Sequence, residues 1–472
     1  MRIEQDCLGE LQVPADVYYG IQTERAKHNF DVSGHTISEL PTFIRSIATI
    51  KKAAALANRD IGVLDDQIAG AICQAAEEII AGKFTEEFPV DIFQGGGSTS
   101  TNMNVNEVIA NRANEILTGH KGYDSVHPNT HVNMGQSTND VIPAAMSLTC
   151  CIYLKELIDS LRYLEKHLAK KVDEFRLIVK VSRTCIQDAV PITLGQEFSG
   201  YLSFIRRHIS QFEQIMHSCA ELSLGATAVG TGLGAFSGYV SKVYEYLTRL
   251  TGIPVKVKAN LFDGLQNADP YLQVSGTLKT LATGLGKIAT DLRIMSSGPR
   301  AGFNEIELPS VQPGSSIMPG KVNPVMPELM NQICYQVCGN DSAISMAVEG
   351  GELDLNVWEP LIIKCLSESF KILTRGIFRF TDYCISGIKA NEAVCKRNAE
   401  YSLAISTVIA ALFGYETGTK VAKEAYRTGA TVKEVALKMG LFTEEEAETL
   451  MDPLTLTDPS KSSEILALCK LK

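Results

Sequence analysis

Histidine is scarce and unevenly placed in this 472-residue chain: there are eight, and none lies beyond His217. The twelve cysteines fall in no zinc-ligand or framework spacing, so no metal site is expected, and unpaired thiols suit a reducing, cytoplasmic setting. Cys334 and Cys338, one helical turn apart, are expected as buried core thiols rather than ligands. No apolar run is long enough to span a bilayer, and the opening MRIEQDCLGELQVPADVYYG holds acidic residues and no apolar stretch of the kind a signal peptide needs. Lysine and arginine (44) are outnumbered by aspartate and glutamate (54), which leaves a net charge of -10. That balance argues against nucleic acid and against a membrane surface as partners, and a dicarboxylate ligand would need a locally positive site. There is one tryptophan, and strand-like alternation, internal repeats and low-complexity tracts are few or missing.

What is present is long helical periodicity. Composition is that of a soluble enzyme, 45% hydrophobic and 21% charged, and the length exceeds what one compact core holds. Helices are expected near 41–59 and 65–82 and over 144–176, after an irregular leader. Leu194, Phe198, Leu202, Ile205, Ile209, Phe212 and Met216 step by four and three. Val274, Leu278, Leu281, Leu285, Ile288, Leu292 and Met295 do the same, as do Ile362, Leu366, Phe370, Leu373, Ile377, Phe380 and Cys384. Such narrow seams pack in bundles. The expected fold is all-α: an N-terminal, mainly helical domain (1–140), an elongated central bundle that also oligomerises (141–393) and a small C-terminal helical domain (394–472). In the last, Thr443 to Glu446 forms a capping box and MDPLTLTDPSKSS a loop.

Against this background the polar islands stand out. PGSSIMPGKVNPVMPE at 313–328 sets Ser315 and Ser316 between two Pro-Gly pairs, then Lys321 and Asn323 before a helix start at Pro324. Glycines that let backbone N–H groups converge, a lone cation and a helix N-terminus make an anion-binding loop, with a well-capped surface loop as the plain alternative. QGGGSTSTNMN at 94–104 reads as a glycine turn leading into short polar side chains, either a capped helix start or a hydroxyl-lined carboxylate pocket. Gln136, Ser137, Thr138, Asn139 and Asp140 offer more capping groups than one helix start needs. SRTCIQDAVPITLGQE at 182–197 is a third polar island in a helical chain. GTGLG at 230–234 is expected to follow a helix rather than a strand, which excludes a dinucleotide loop.

GSSIMPGKVNP matches the signature of the aspartase/fumarase superfamily of cofactor-free lyases, and the resemblance runs from about residue 2 into the C-terminal domain. Ser-Thr-Asn at 137–139, PRAGFNEIELP, DAVP, DVYYGIQT and LNVWEP resemble the aspartase branch more than the fumarases. The resemblance implies a homotetramer built on a twenty-helix core, with active sites shared between subunits, and reversible conversion of L-aspartate to fumarate and ammonia. It implies Ser315 as the base. Thr99, Ser137, Thr138 and Ser316 would stand on the β-carboxylate, Thr184, Lys321 and Asn323 on the α-carboxylate, and Asn139 on the amino group. Cys185 departs from the pattern, because relatives carry His or Gln there. Its plain reading is a small tolerated filler; losing a polarising His harms hydration more than ammonia chemistry. A class II fumarase, a lyase for another amino-dicarboxylate and a non-catalytic crystallin-like protein stay open as alternatives.

Overall fold

Helix dominates the computed structural model, which describes residues 1–468; the end of the expected C-terminal domain, 469–472, lies outside the described residues. In chain order the elements are β1 (Arg2–Asp6), β2 (Gly9–Val13), α1 (Ile21–Asn29), α2 (Pro41–Asp60), α3 (Asp66–Ile80), α4 (Thr99–Thr118), α5 (Thr138–Glu174), β3 (Val179–Thr184), β4 (Gln187–Thr193) and α6 (Leu194–Cys219). There follow β5 (Glu221–Leu222), α7 (Tyr239–Thr251), β6 (Lys256–Val257), α8 (Asp263–Gln266), α9 (Asp269–Met295), β7 (Ile306–Glu307), α10 (Val325–Glu349), α11 (Glu359–Tyr383) and β8 (Lys389–Ala390). Six more helices close the chain: α12 (Glu392–Tyr401), α13 (Ser406–Phe413), α14 (Tyr415–Thr428), α15 (Val432–Lys438), α16 (Glu444–Leu450) and α17 (Pro459–Leu468).

The helical seams are buried as their spacing requires. Every named position of the α9 seam is in the core, as are Ile362 to Phe380 along α11 and Leu194 to Phe212 along α6; only Met216, near the α6 end, is half-buried. Several expectations need correction. The leader is not irregular, because β1 and β2 pair as an antiparallel hairpin. The 182–197 island is β3, a turn and β4, running directly into α6. α5 starts six residues before 144, with Pro143 inside it as the sixth residue, where proline removes the hydrogen bond to the residue 139 carbonyl. GTGLG follows the short strand β5, which pairs in parallel with β6 across α7. The 451–463 stretch is not all loop, since α17 begins at Pro459. Finally, α5 does contain an 18-residue window of mean hydropathy 1.5, but 78% of that window is buried, as a core helix demands.

Contacts group the chain into two compact units that cut across the expected sequence domains. The first comprises 1–158, 210–282 and 335–374. In it α2 packs on α3, with Ile47, Ile50, Ala53, Ala54 and Ala57 of α2 and Ile72, Ala75, Ala76 and Ile79 of α3 all buried, and the alanines permit close approach. Burying each isoleucine contributes about 2 kcal/mol. Asp65 caps α3 by accepting from the N–H groups of Gln67 and Ile68. At the start of α1, the buried Glu107 carboxylate accepts from the N–H groups of Gly20, Gln22 and Thr23 and from the Thr23 hydroxyl. Only glycine fits at position 20, because a Cβ there would lie 2.0 Å from the Tyr123 hydroxyl. Burial pushes Glu107 up to about 7 in spite of those four donors.

The second unit comprises 159–209, 283–334 and 375–472. Phe175 meets Phe198 edge-on, with ring centroids 5.3 Å apart, and Tyr201 donates to Asp291 at 2.8 Å. The C-terminal helices enclose their own cluster, including Ile409, Val421, Val435, Phe442 and Met451. Thr443 and Glu446 form the expected capping box, and Thr431 and Glu434 form another.

Candidate active site

The expected site residues divide between the units, and each set is held by its own local logic. In the first unit, Gly96, Gly97 and Ser98 all have positive φ (80°, 58° and 64°), which turns the chain sharply into α4. The helix claims Thr99 to Asn104, so the stretch is a glycine turn into a helix start, although Ser98 supplies no side-chain cap. Thr99 is exposed, and its hydroxyl donates back to the Gly96 carbonyl at 2.8 Å. The Gln94 side chain accepts from both the N–H and the hydroxyl of Thr101, tying the turn to the helix.

The 136–140 cluster sits where α5 begins. Ser137 accepts from the Asn139 N–H at 3.3 Å, while the Ser137 N–H donates to Asp140 at 2.9 Å, so part of the cluster is indeed a cap. Thr138 is buried beneath the turn. The Asn139 amide donates to the Ala228 carbonyl at 2.7 Å. Asp140 was weighed only as a capping residue, yet its fully buried carboxylate also accepts from the N–H groups of Gly225 and Thr227 at 2.9 and 3.0 Å. It thereby pins the 223–238 glycine loop to the start of α5. Burial raises it to about 6, opposed by those N–H groups and by the charge of Lys51. Lys51 gave no signal in the sequence beyond being a lysine on an apolar helix face; it is fully buried, and burial pushes it down to about 7.

In the second unit, Thr184, Cys185 and Ile186 occupy the exposed tip of the β3–β4 hairpin. Thr184 pairs with Gln187, and the two turn residues both have positive φ, 53° at Cys185 and 61° at Ile186. A β-branched residue in the left-handed region is strained, so the base of the hairpin must hold the tip in place. It does so through ions. Arg183 donates to both oxygens of Glu305 at 2.9 Å, Lys180 lies 3.2 Å from the same carboxylate, and Lys180 also reaches Glu197 at 2.5 Å. Burial raises Glu305, but the hydrogen bonds from Arg183, with the charges of Lys180 and Arg183, outweigh it and hold the group below the ordinary carboxylate value.

The 313–324 loop closes on itself. The Gly314 N–H donates to the Lys321 carbonyl at 2.8 Å, and the Asn323 amide donates to the Gly314 carbonyl at 2.8 Å. A Cβ on Gly314 would lie 2.6 Å from the Lys321 carbonyl oxygen, so this neck requires glycine. The Ser315 hydroxyl oxygen accepts from the N–H groups of Ile317 and Met318 at 3.2 and 2.9 Å. Ser316 is exposed, as is Lys321, which has no carboxylate within 4 Å among the described residues. Lys321 and Asn323 face a cleft of about 520 Å³ together with Arg293, Ser296, Ser297 and Glu328. The structure thus brings Ser315, Lys321 and Asn323 together on one loop. It adds a second cation, Arg293, which no motif marked.

Eleven cysteines among the described residues form no disulfide, and Cys338 is half-buried rather than buried like Cys334. Among the described residues no cluster of His, Cys, Asp or Glu could hold a metal ion.

The chain resembles known proteins over nearly its whole length. A family model described as Lyase matches residues 9–339, and one described as Fumarase C C-terminus matches residues 405–458. An aspartate ammonia-lyase of Bacillus sp is 48% identical over 460 residues, covering 97% of this chain and 98% of the relative. The aspartate ammonia-lyase of Escherichia coli strain K12 is 43% identical, covering 98% of this chain and 97% of its own. Among solved structures, a fumarate lyase:delta crystallin from Brucella melitensis bound to cobalt superposes with a TM-score of 0.94 at 43% identity, covering 97% of this chain and 100% of that one. A class II fumarase from Schistosoma mansoni also gives 0.94, at 36% identity, covering 97% of this chain and 99% of that one. With full-length relatives at this level, and with GSSIMPGKVNP intact on the closed loop, the chain belongs to the aspartase/fumarase superfamily of lyases and is most like the aspartate ammonia-lyases.

Proposed function

We propose that this protein is an aspartate ammonia-lyase that interconverts L-aspartate with fumarate and ammonia. Full-length likeness to proteins of that name, at 43–48% identity, carries the reading. Ser315 takes the proton from C3 of the substrate. A serine must be ionised to act as a base, and two N–H groups aimed at its oxygen, with the uncompensated Lys321 on the same loop, favour the alkoxide. Removal of that proton places a second negative charge on the β-carboxylate, as an aci-carboxylate. Ser137, Thr138 and Ser316 donate to it, as does Thr99 once its hydroxyl leaves the Gly96 carbonyl, and stabilising this charge is the main catalytic task. The electron pair then returns toward C2, the C2–N bond breaks, and ammonia leaves with the bonding pair. Thr184, Lys321 and Asn323 hold the α-carboxylate, and Asn139 orients the amino group.

The two residue sets come together across subunits of a homotetramer. Support for assembly lies on α10, where Tyr335 and Met346 are 68% and 73% exposed, far more than large apolar side chains need be in a finished core. The free thiols support a cytoplasmic setting.

The test is ultraviolet absorbance of the fumarate double bond as purified protein is given L-aspartate, then L-malate. Signal from aspartate alone is expected. Signal from malate alone would instead make it a class II fumarase, and silence with both would point to another amino-dicarboxylate.

A further inference from the structure

Thr138 is useful to a carboxylate only if its hydroxyl proton, rather than its lone pairs, faces the ligand. Three amides behind it, Asn102 buried and Asn133 and Gln136 half-buried, decide which. The Lys51 Nζ donates to the Asn133 Oδ1 at 2.9 Å and to the Gln136 Oε1 at 3.0 Å. In its protonated form Lys51 has only protons to give, so both partners then present oxygen. Their far ends agree: the Asn133 Nδ2 donates to the Gln136 carbonyl, and the Gln136 Nε2 to the carbonyls of Val132 and Met134. With the Asn133 oxygen fixed, whatever else approaches it must be a donor. Asn102 and Asn106 do so through Nδ2, at 3.2 and 3.0 Å. The same Asn102 Nδ2 lies 3.1 Å from the Thr138 Oγ1, so the hydroxyl accepts there and its proton is left for another partner.

The buried Asn102 Oδ1 has no hydrogen-bond partner. Turning the amide over would set its oxygen against that of Asn133 and make Thr138 the donor to Asn102.

We infer that Lys51, through Asn133 and Asn102, fixes the polarity of the Thr138 hydroxyl so that its proton points to the substrate carboxylate. The three are positioning residues for the lyase reaction, an assignment that rests on Thr138 being a carboxylate donor as proposed above.

The test is calorimetric binding of succinate, a dicarboxylate that cannot be deaminated, to the full-length assembled protein. Thr138→Val removes the donor and weakens succinate about tenfold, the loss expected for one hydrogen bond to a charged group. Asn102→Ala and Lys51→Met each weaken binding when Thr138 is present, and each by at least threefold less when combined with Thr138→Val. A field effect or a general loosening of the fold would cost the same in both backgrounds, and equal losses would overturn the relay. If Lys51→Met does not fold, the Asn102–Thr138 pair decides alone. Wild-type affinity in Thr138→Val overturns the carboxylate role of Thr138 and the relay with it. That result is distinct from a failure of the relay alone, in which Thr138→Val weakens binding but the losses add.

Discussion

Replacing Glu305 with glutamine tests how the Thr184 hairpin is held. The carboxylate is 0% exposed, and the two cations on it, Lys180 and Arg183, are 2% and 14% exposed. Removing one member of a buried ion cluster typically costs about 3–5 kcal/mol, because the partners stay buried without compensation. Here Lys180 keeps Glu197 at 2.5 Å, whereas Arg183 is left with Asp188 at 3.9 Å, so the loss should fall near the lower end, about 3 kcal/mol. Urea denaturation at fixed protein concentration measures it, since assembly would otherwise shift the midpoint. The pH dependence gives a second signature. Glu305 titrates below its ordinary value of 4.5 in the folded chain, so its contribution is complete above about 4.5 and is lost as the pH falls through the folded value. The gap between wild type and Glu305→Gln should therefore be full at pH 7 and shrink on acidification. A gap under about 1 kcal/mol, or one that does not change with pH, would refute the reasoning. Because Arg183 immediately precedes Thr184, the variant should also raise KM for aspartate.

Ser315→Ala should abolish nearly all fumarate formation while leaving the thermal midpoint unchanged, since the side chain bonds only within its own loop; wild-type turnover would remove Ser315 from the mechanism. Leu281→Ala, at a fully buried point of the α9 seam, should destabilise the protein by about 2–5 kcal/mol in denaturant titration. Met346→Asp places a charge on an exposed apolar position of α10, and light scattering should show a smaller assembly with the helical content of the wild type.

The helical seams were legible because burial on one face leaves a repeat of three and four that survives without any knowledge of partners. Leu278 and Phe370 announce themselves in this way. The β3–β4 hairpin did not, because its strands are short and carry Lys180 and Arg183, whose pairing depends on Glu197 and Glu305 elsewhere in the chain. The loop that carries Ser315, Lys321 and Asn323 was visible as a dense polar motif. Asp140 and Lys51 were not, since their partners lie more than eighty residues away in sequence. A carboxylate that pins a glycine loop looks, in one dimension, like one more helix cap.

The pinched neck of the 313–324 loop also bears on the thermodynamics of substrate capture. A free loop of this length would surrender conformational entropy each time it ordered over a ligand, about 1–2 kcal/mol for every residue fixed. Tying Gly314 to the Lys321 carbonyl and to the Asn323 amide joins the two ends before any ligand arrives. The Ser315 turn orders part of the interior as well. With its neck already closed, the segment has less conformational entropy left to lose in any further ordering.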